Sequence, residues 1–168
     1  MSIVCCKVTE NEIIVASDSI TVRGWTQGKG SNSYAKLVTL NELIVGSTGC
    51  AQESALFQIF CQTRKPQSPT CLAVLDFIQE FSAWKEKKSG KSEIENSNII
   101  VFEGHAFLVE QYFIEEIKNY EAIGAGMEYA LSALYLGHSA EKAVNTACEL
   151  SILCEKPVIT YTMKRDLT

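Results

Sequence analysis

The chain has 168 residues, enough for one domain that buries roughly two-thirds of the surface of its unfolded chain. Hydrophobic residues at 46% and charged residues at 21% exclude an intrinsically disordered chain. The formal net charge of -5 and the scattered Lys and Arg residues argue against a nucleic-acid partner. No apolar run approaches the ~20 residues that cross a bilayer, and the first residues lack the pattern of a signal peptide. We therefore expect a soluble, cytoplasmic protein.

The seven cysteines predict reduced thiols, because their number is odd and no secretion signal accompanies them. Cys5 and Cys6 are neighbours in a predicted strand, so their side chains should face opposite ways and cannot share a metal ion. The sequence contains no CxxC or HxxxH spacing, and its two histidines stand apart in turn-like stretches. These spacings therefore predict no metal site built from Cys and His side chains.

In chain order, the hydrophobic pattern predicts two β-hairpins, two helices, a group of strands, two more helices and a final strand. The first hairpin joins residues 2–8 to residues 12–17, and the second joins residues 35–40 to residues 43–49. Residues 19–33, between the hairpins, are rich in Gly and Ser and predict a long loop.

The later elements follow the same reasoning. Helices are predicted at residues 52–62, 70–87, 127–136 and 140–153, the last with Ser139 as its N-cap. Strands are predicted at residues 98–102, 106–110, 120–123 and 158–163. Because the helices do not alternate singly with strands, the order favours antiparallel sheets with helices on their faces over a doubly wound parallel sheet. Two sheets between two helical layers would use every element, although simpler α+β layouts stay open at this point.

Ser2 is the first candidate for chemistry, because it would become the N-terminal residue if Met1 were removed. A serine hydroxyl is a weak nucleophile unless a base lies beside it, and an N-terminal α-amine can be that base. The amine's ordinary pKa of about 7.7–8 suits it to accept a proton near neutral pH.

Three further candidates lie at the ends of strands that the predicted pairing brings together. The first hairpin places Asp18 beside Ser2, Lys36 begins the next strand, and Gly46 lies near the end of the strand after it. A lysine would lower the proton affinity of the hydroxyl, and a carboxylate would balance that lysine. A backbone N–H at the glycine could face a developing oxyanion. Each residue alone also fits a structural role, such as a turn cap, a solvated strand end or a bulge.

These residues and three motifs resemble the proteasome β-subunit and HslV-type peptidase family of N-terminal nucleophile (Ntn) hydrolases. The motifs are ASDS at the end of the second strand, GSTG at the end of the fourth, and AIGAGMEYA, which is the most specific. The resemblance covers nearly the whole chain. It implies an α+β fold, a four-layer αββα sandwich of two antiparallel sheets between helical layers, over residues 1–168 as a single domain. It also implies peptide-bond hydrolysis.

The resemblance assigns a role to each candidate. Ser2 matches the nucleophile, Asp18 and Lys36 the paired acid and base, and Gly46 the oxyanion-hole glycine. The segment that pairs with the substrate backbone, a β-augmentation mode, matches Ser19, Ile20, Thr21 and Val22. No cofactor takes part in the implied chemistry.

The resemblance also implies partners. These are further copies of the chain in a cyclic homo-oligomer, as one ring or two stacked rings, and a peptide or unfolded protein as substrate. It leaves open an unfoldase ATPase as a further partner and a structural cation near residues 152–158.

Three departures from the family pattern keep other functions open. The nucleophile is serine instead of threonine, which removes a methyl group that restrains the side-chain rotamer. Ala125 stands where many members have a serine. The aspartate often found at the late helix–strand junction is missing, and Glu149 and Glu155 are imperfectly placed substitutes. The alternatives are a catalytically silent ring subunit that retains Met1 and an amidase acting on a small molecule.

Overall fold

A computed structural model of the protein describes residues 2–28 and 34–165, without the side chain of Arg23. The strands in these ranges are β1 (Ile3–Val8), β2 (Glu12–Ser17), β3 (Thr21–Arg23), β4 (Thr26–Gly28), β5 (Leu37–Leu40), β6 (Leu43–Thr48), β7 (Ser97–Phe102), β8 (His105–Glu110), β9 (Phe113–Glu116), β10 (Tyr120–Gly124) and β11 (Ile159–Lys164). The helices are α1 (Ala51–Cys61), α2 (Cys71–Ser89), α3 (Met127–Tyr135) and α4 (Ala140–Leu150).

Two antiparallel sheets form the centre of the molecule. One has the strand order β10-β1-β2-β11, and the other has the order β5-β6-β7-β8-β9. In the first sheet β1 lies between β10 and β2, and its register pairs Val4 with Ser17 and Ile3 with Gly124. The start of β1 therefore lies beside the end of β2 and the end of β10.

Three clusters of buried apolar side chains define four layers. One cluster fills the space between the two sheets. The second packs the four-stranded sheet against α3 and α4, and the third packs the five-stranded sheet against α1 and α2. In the third cluster the ring of Phe81 packs against those of Phe57 and Phe60, at centroid distances of 4.8 Å and 5.4 Å. These layers confirm the expected αββα arrangement.

The first strand is buried on both of its faces. Ile3 and Cys5 belong to the cluster under α3 and α4, whereas Val4 and Cys6 belong to the cluster between the sheets. The expected opposite orientation of the two thiols is therefore confirmed. Because both faces of β1 are covered, an uninterrupted apolar run such as IVCC suits this position.

The prediction of one long loop over residues 19–33 was wrong in part. Strands β3 and β4 form a short hairpin that pairs Thr21 with Gly28, and Gly24 has a φ of 60° in its turn. Three-residue strands are too short to show a periodic pattern. Residues 29–33 lie outside the described residues. The edge strand β9 was also not predicted from the sequence.

The helix ends agree with their capping residues. The hydroxyl of Ser139 accepts a hydrogen bond from the backbone N–H of Lys142 at 3.2 Å, which confirms the predicted N-cap of α4. Thr70 caps α2 in the same way, and Gly90 ends that helix with a φ of 74°. Within the described residues, no helix combines the length and the apolar character that crossing a membrane requires.

Candidate active site

Ser2 lies directly before β1 and is only 4% exposed. Its carbonyl oxygen accepts a hydrogen bond from the backbone N–H of Gly126 at 3.3 Å. Gly124 has a φ of 99°, and a Cβ atom at this position would collide with the same carbonyl oxygen. The GAG sequence at the end of β10 is therefore shaped to receive the backbone of Ser2.

Asp18 directly follows β2 and is the best-connected side chain of the site. Its carboxylate has no exposed surface. The Oδ1 atom accepts hydrogen bonds from Lys36 Nζ at 2.7 Å and from the backbone N–H of Ile3 at 3.0 Å. The Oδ2 atom accepts one from the backbone N–H of Glu155 at 3.2 Å. Three hydrogen-bond donors therefore hold this buried carboxylate in one fixed position.

Lys36 lies immediately before β5, and its side chain is 10% exposed. Burial lowers the pKa of the Lys36 ammonium, and this effect outweighs the nearby carboxylate of Asp18, which acts to raise it. The Lys36 carbonyl oxygen accepts a hydrogen bond from the backbone N–H of Ser47 at 2.9 Å, which ties this residue to β6. The site thus holds a cation that gives up its proton more readily than an exposed lysine.

Gly46 lies on β6 opposite Leu37, and its place in the fold requires a residue without a side chain. A Cβ atom at Gly46 would lie 2.5 Å from Cγ1 of Val4, on the facing sheet. The two sheets therefore approach each other closely at this glycine, two residues along β1 from Ser2. Its role as an oxyanion donor stays a prediction.

A cavity of about 90 Å³ opens beside Ser2. The described residues that line it are Ser2, Ile20, Thr21, Val22, Tyr34, Lys36, Ser47, Gly49, Ala51 and Ser54. The fold therefore brings the predicted nucleophile, the predicted lysine and three residues of the predicted substrate-binding segment to one small space.

Ser19, the fourth residue of that segment, is placed differently. Its backbone N–H donates to the carbonyl oxygen of Glu155 at 3.0 Å, and its hydroxyl donates to that of Pro157 at 2.5 Å. Ser19 lines a second cavity of about 300 Å³, which also touches Asp18 and Lys36. It thus fastens the segment after Asp18 to the loop before β11.

A buried polar network positions the α1 wall of the small cavity. Asn96 accepts a hydrogen bond from the backbone N–H of Cys50 at 2.6 Å and donates to the hydroxyl of Ser54 at 2.9 Å. Oε1 of Glu53 accepts a hydrogen bond from the backbone N–H of Asn96 at 2.9 Å, and Oε2 of Glu53 forms an ion pair with Nζ of Lys85 on α2 at 2.5 Å. Both charged side chains are 6% exposed, so this ion pair lies inside the protein.

Sequence reasoning did not single out Tyr34, Ser47 or Ser54, although all three line the cavity beside Ser2. Tyr34 and Ser54 come from a loop end and a helix, and only tertiary packing brings them to the strand ends. The GSTG motif already contained Ser47, whose hydroxyl donates to Oδ1 of Asn98 at 2.6 Å. None of the three carries a pattern that marks it in the sequence.

At the late helix–strand junction, where the family often has an aspartate, neither candidate substitute lines the small cavity. Glu149 pairs with Lys156 at the surface at 2.6 Å, with both side chains more than half exposed. Glu155 contributes its backbone N–H to Asp18. Burial raises the pKa of the nearby Cys148 thiol to about 12, and the charge of Asp18 adds to the rise. Among the described residues, no group of His, Cys, Asp and Glu side chains is arranged to hold a metal ion.

Comparisons with known proteins bear on the fold. No protein-family model matches the sequence, and no curated protein is found as a relative. Solved structures do match. BPH from Thiobacillus denitrificans in complex with epoxomicin has a TM-score of 0.88 at 19% identity, covering 98% of this chain and 99% of that one. BPH described without the compound gives 0.87 at 19% identity, over 99% and 100% of the two chains.

Eukaryotic HslV from Trypanosoma brucei has a TM-score of 0.71 at 14% identity, covering 97% of this chain and 99% of that one. The chain has the HslV fold. The match extends over almost the full length of both chains, so the whole αββα sandwich is shared. This likeness confirms the fold that the sequence motifs implied.

Proposed function

We propose that this chain is an N-terminal nucleophile peptidase of the proteasome-like type, with Ser2 as the nucleophile after removal of Met1. The observation that carries the proposal is the buried Asp18–Lys36 pair, whose lysine shares a small cavity with Ser2. Burying an ion pair costs free energy, because both charges lose their hydration. Its position beside the Ser2 hydroxyl, and beside the α-amine that removal of Met1 would expose, therefore favours a catalytic role over a purely structural one. The HslV fold adds support, as does the epoxomicin complex of the similar BPH protein.

In the proposed reaction, Ser2 Oγ adds to the carbonyl carbon of the scissile peptide. Its proton passes to the free α-amine of Ser2, through a water molecule, and from there to the nitrogen of the leaving group. The C–N bond then breaks, and the acyl group stays on Ser2 as an ester. Water adds to this ester with the amine again as the base, which releases the carboxylic acid and restores the hydroxyl.

The surrounding residues supply electrostatics and position. The Lys36 cation lowers the proton affinity of the Ser2 hydroxyl, and Asp18 fixes that cation in place. The backbone N–H at Gly46 is proposed as the oxyanion donor. Ile20, Thr21 and Val22 are proposed to bind the substrate backbone alongside the cavity, with Ser19 anchoring the start of this segment.

We further propose that the chain acts as a single cytoplasmic domain within a cyclic homo-oligomer that encloses the site. Large apolar side chains are exposed near the ends of α3 and α4, namely Tyr135, Leu136, Leu150 and Ile152. The apolar side chains of α1 offer less surface for contacts, because Phe57 and Phe60 are buried in the core while Ile59 is 51% exposed. Contacts through the α3–α4 layer fit the assembly best.

The main alternative is a catalytically silent subunit of the same fold. Ala125 and the surface position of Glu149 favour it, because neither supplies a polar group to the site. The Asp18–Lys36 pair opposes it, since apolar side chains could hold these strands together without the cost of burying two charges.

The test compares the wild-type protein, with an N-terminal Ser2 verified by intact mass, with Ser2→Ala and Lys36→Ala. The substrate is an unfolded protein, and the products are counted by mass spectrometry. We expect either substitution to lower the turnover by about 10³-fold or more. The matched control is Lys87→Ala on the exposed surface at the end of α2, which should keep full activity. Unchanged turnover in Ser2→Ala would refute the proposed nucleophile.

A further inference from the structure

Tyr34 lines two cavities that both reach the proposed site. The smaller, of about 90 Å³, contains Ser2 in its wall, and the larger, of about 300 Å³, contains Asp18. Among the described residues, Tyr34 and Lys36 line both of them. Lys36 belongs to the proposed catalytic site, so Tyr34 is the shared wall residue that a substitution can change without removing a catalytic group.

The position of Tyr34 is fixed at both ends. Its hydroxyl donates a hydrogen bond to Oε1 of Gln58 on α1 at 2.7 Å, and its backbone N–H donates to Oγ1 of Thr21 at 2.8 Å. The Gln58 side chain in turn donates to the carbonyl oxygen of Ala35 at 2.8 Å. Burial raises the pKa of the Tyr34 phenol, so the ring stays neutral at physiological pH. These bonds hold the ring between α1 and the start of β5.

The smaller cavity limits the size of the side chain that can enter beside Ser2. A cavity of about 150 Å³ accommodates a benzene ring in a protein core. The cavity at Ser2, at about 90 Å³, is smaller than that. It suits side chains with the size of alanine, serine, threonine or valine, and it excludes an aromatic ring.

The chemistry of the walls limits the charge of that side chain. The cavity is lined by the hydroxyl-bearing residues Thr21, Ser47 and Ser54 and by Lys36, with no carboxylate among its described residues. An arginine or lysine side chain would therefore meet the Lys36 cation. The carboxylate of Asp18 is already paired with that cation and has no exposed surface, so it offers no partner to a second cation. A small neutral side chain avoids this cost.

We infer that the enzyme cleaves after small neutral residues and that Tyr34 is the wall that sets this preference. The inference rests on the proposed peptidase function. Removing the ring would join the two cavities, and the added space is lined by Leu37, Pro157, Ile159 and Tyr161. A Tyr34→Ala enzyme would therefore accept large apolar residues before the scissile bond.

The experiment uses peptides with a fluorogenic leaving group that differ only in the residue before the scissile bond, which is Ala, Val, Phe or Arg. For the wild type, we expect kcat/KM for Ala and Val to exceed that for Phe and Arg by about tenfold or more. Tyr34→Ala should raise the Phe-to-Ala ratio by about tenfold or more. Tyr34→Phe keeps the ring and should keep the wild-type ratio. Ile159→Ala is the matched control, because it enlarges only the larger cavity.

A second measurement needs no variant at Tyr34. The wild-type assembly digests an unfolded protein, and sequencing of the products gives the residues on which cleavage falls. Cleavage after Phe or Arg as often as after Ala would overturn the inference while leaving the peptidase function intact. An unchanged Phe-to-Ala ratio in folded Tyr34→Ala would overturn the role of Tyr34. No Ser2-dependent cleavage of any peptide would refute the proposed function, and the inference with it.

Discussion

The ammonium nitrogen of Lys36 lies 2.7 Å from Oδ1 of Asp18, and the two side chains are 10% and 0% exposed. The carboxylate is also held by the backbone N–H groups of Ile3 and Glu155. The pair therefore connects the first strand, the strand that begins with Leu37 and the loop before β11. Removing either charge leaves the other one buried without its partner.

Lys36→Met should destabilise the protein by about 3–5 kcal/mol, because it leaves the Asp18 carboxylate as an uncompensated buried charge. The double variant Asp18→Asn/Lys36→Met should cost less than the sum of its two single substitutions, since neither charge remains. Chemical denaturation measures the free energy of unfolding. Lys65→Met, which removes the surface partner of Glu42, is the control and should cost about 1 kcal/mol or less. Additive costs at Asp18 and Lys36 would contradict the coupling.

The rate of peptide cleavage should fall at high pH, and the fall should begin at a lower pH than a lysine with the ordinary pKa of 10.5 would give. Burial lowers the pKa of Lys36, and the catalytic cation exists only below that pKa, so it is lost as the pH rises through it. On the acid side, the Ser2 α-amine must lose its proton, with an ordinary pKa of about 7.7–8. A pH series of kcat tests this profile. Lys36→Arg should shift the high-pH fall in kcat to a higher pH. If the fall stays at the same pH, another group causes it.

Native protein from its own cells should lack Met1, because only a free amine on Ser2 can act as the base. Intact-mass measurement of the native protein decides the point. Chains that keep Met1 should be inactive when assayed beside processed chains of the same preparation. Native protein that mostly retains the methionine would favour the silent-subunit alternative.

Light scattering at micromolar concentration should give a mass that is a multiple of 18.6 kDa, the mass of one chain. Leu136→Asp should reduce this mass, because Leu136 is 72% exposed at the end of α3, in the proposed contact layer. The matched control is Leu72→Asp at the start of α2, where the leucine is 68% exposed on the opposite helical layer. A wild-type mass near 18.6 kDa would refute the assembly.

The main sheets could be predicted from the sequence because their strands carry long local signals. The strand pairs β1–β2 and β5–β6 follow from apolar runs joined by short polar turns, and this pairing alone places Asp18 beside Ser2. The β3–β4 hairpin has three-residue strands, which leave no period to detect.

The walls of the site depend on contacts between distant parts of the chain. Lys85 supports Glu53 from another helix, across 32 positions of sequence. Tyr34 meets Gln58 through a hydrogen bond across 24 positions. Local propensity and periodicity do not encode such pairs, so the nucleophile could be proposed from the sequence whereas the shape of its cavity could not.

The close approach of Gly46 to Val4 carries a consequence for relatives of this protein. A Cβ atom at Gly46 would lie 2.5 Å from the Val4 side chain. A relative with alanine or serine at the position of Gly46 therefore needs a residue smaller than valine at the position of Val4. In aligned sequences, a larger side chain at one of these two positions should therefore accompany a smaller side chain at the other. Such a correlated pair would mark the seam between the two sheets in sequences whose structures have not been determined.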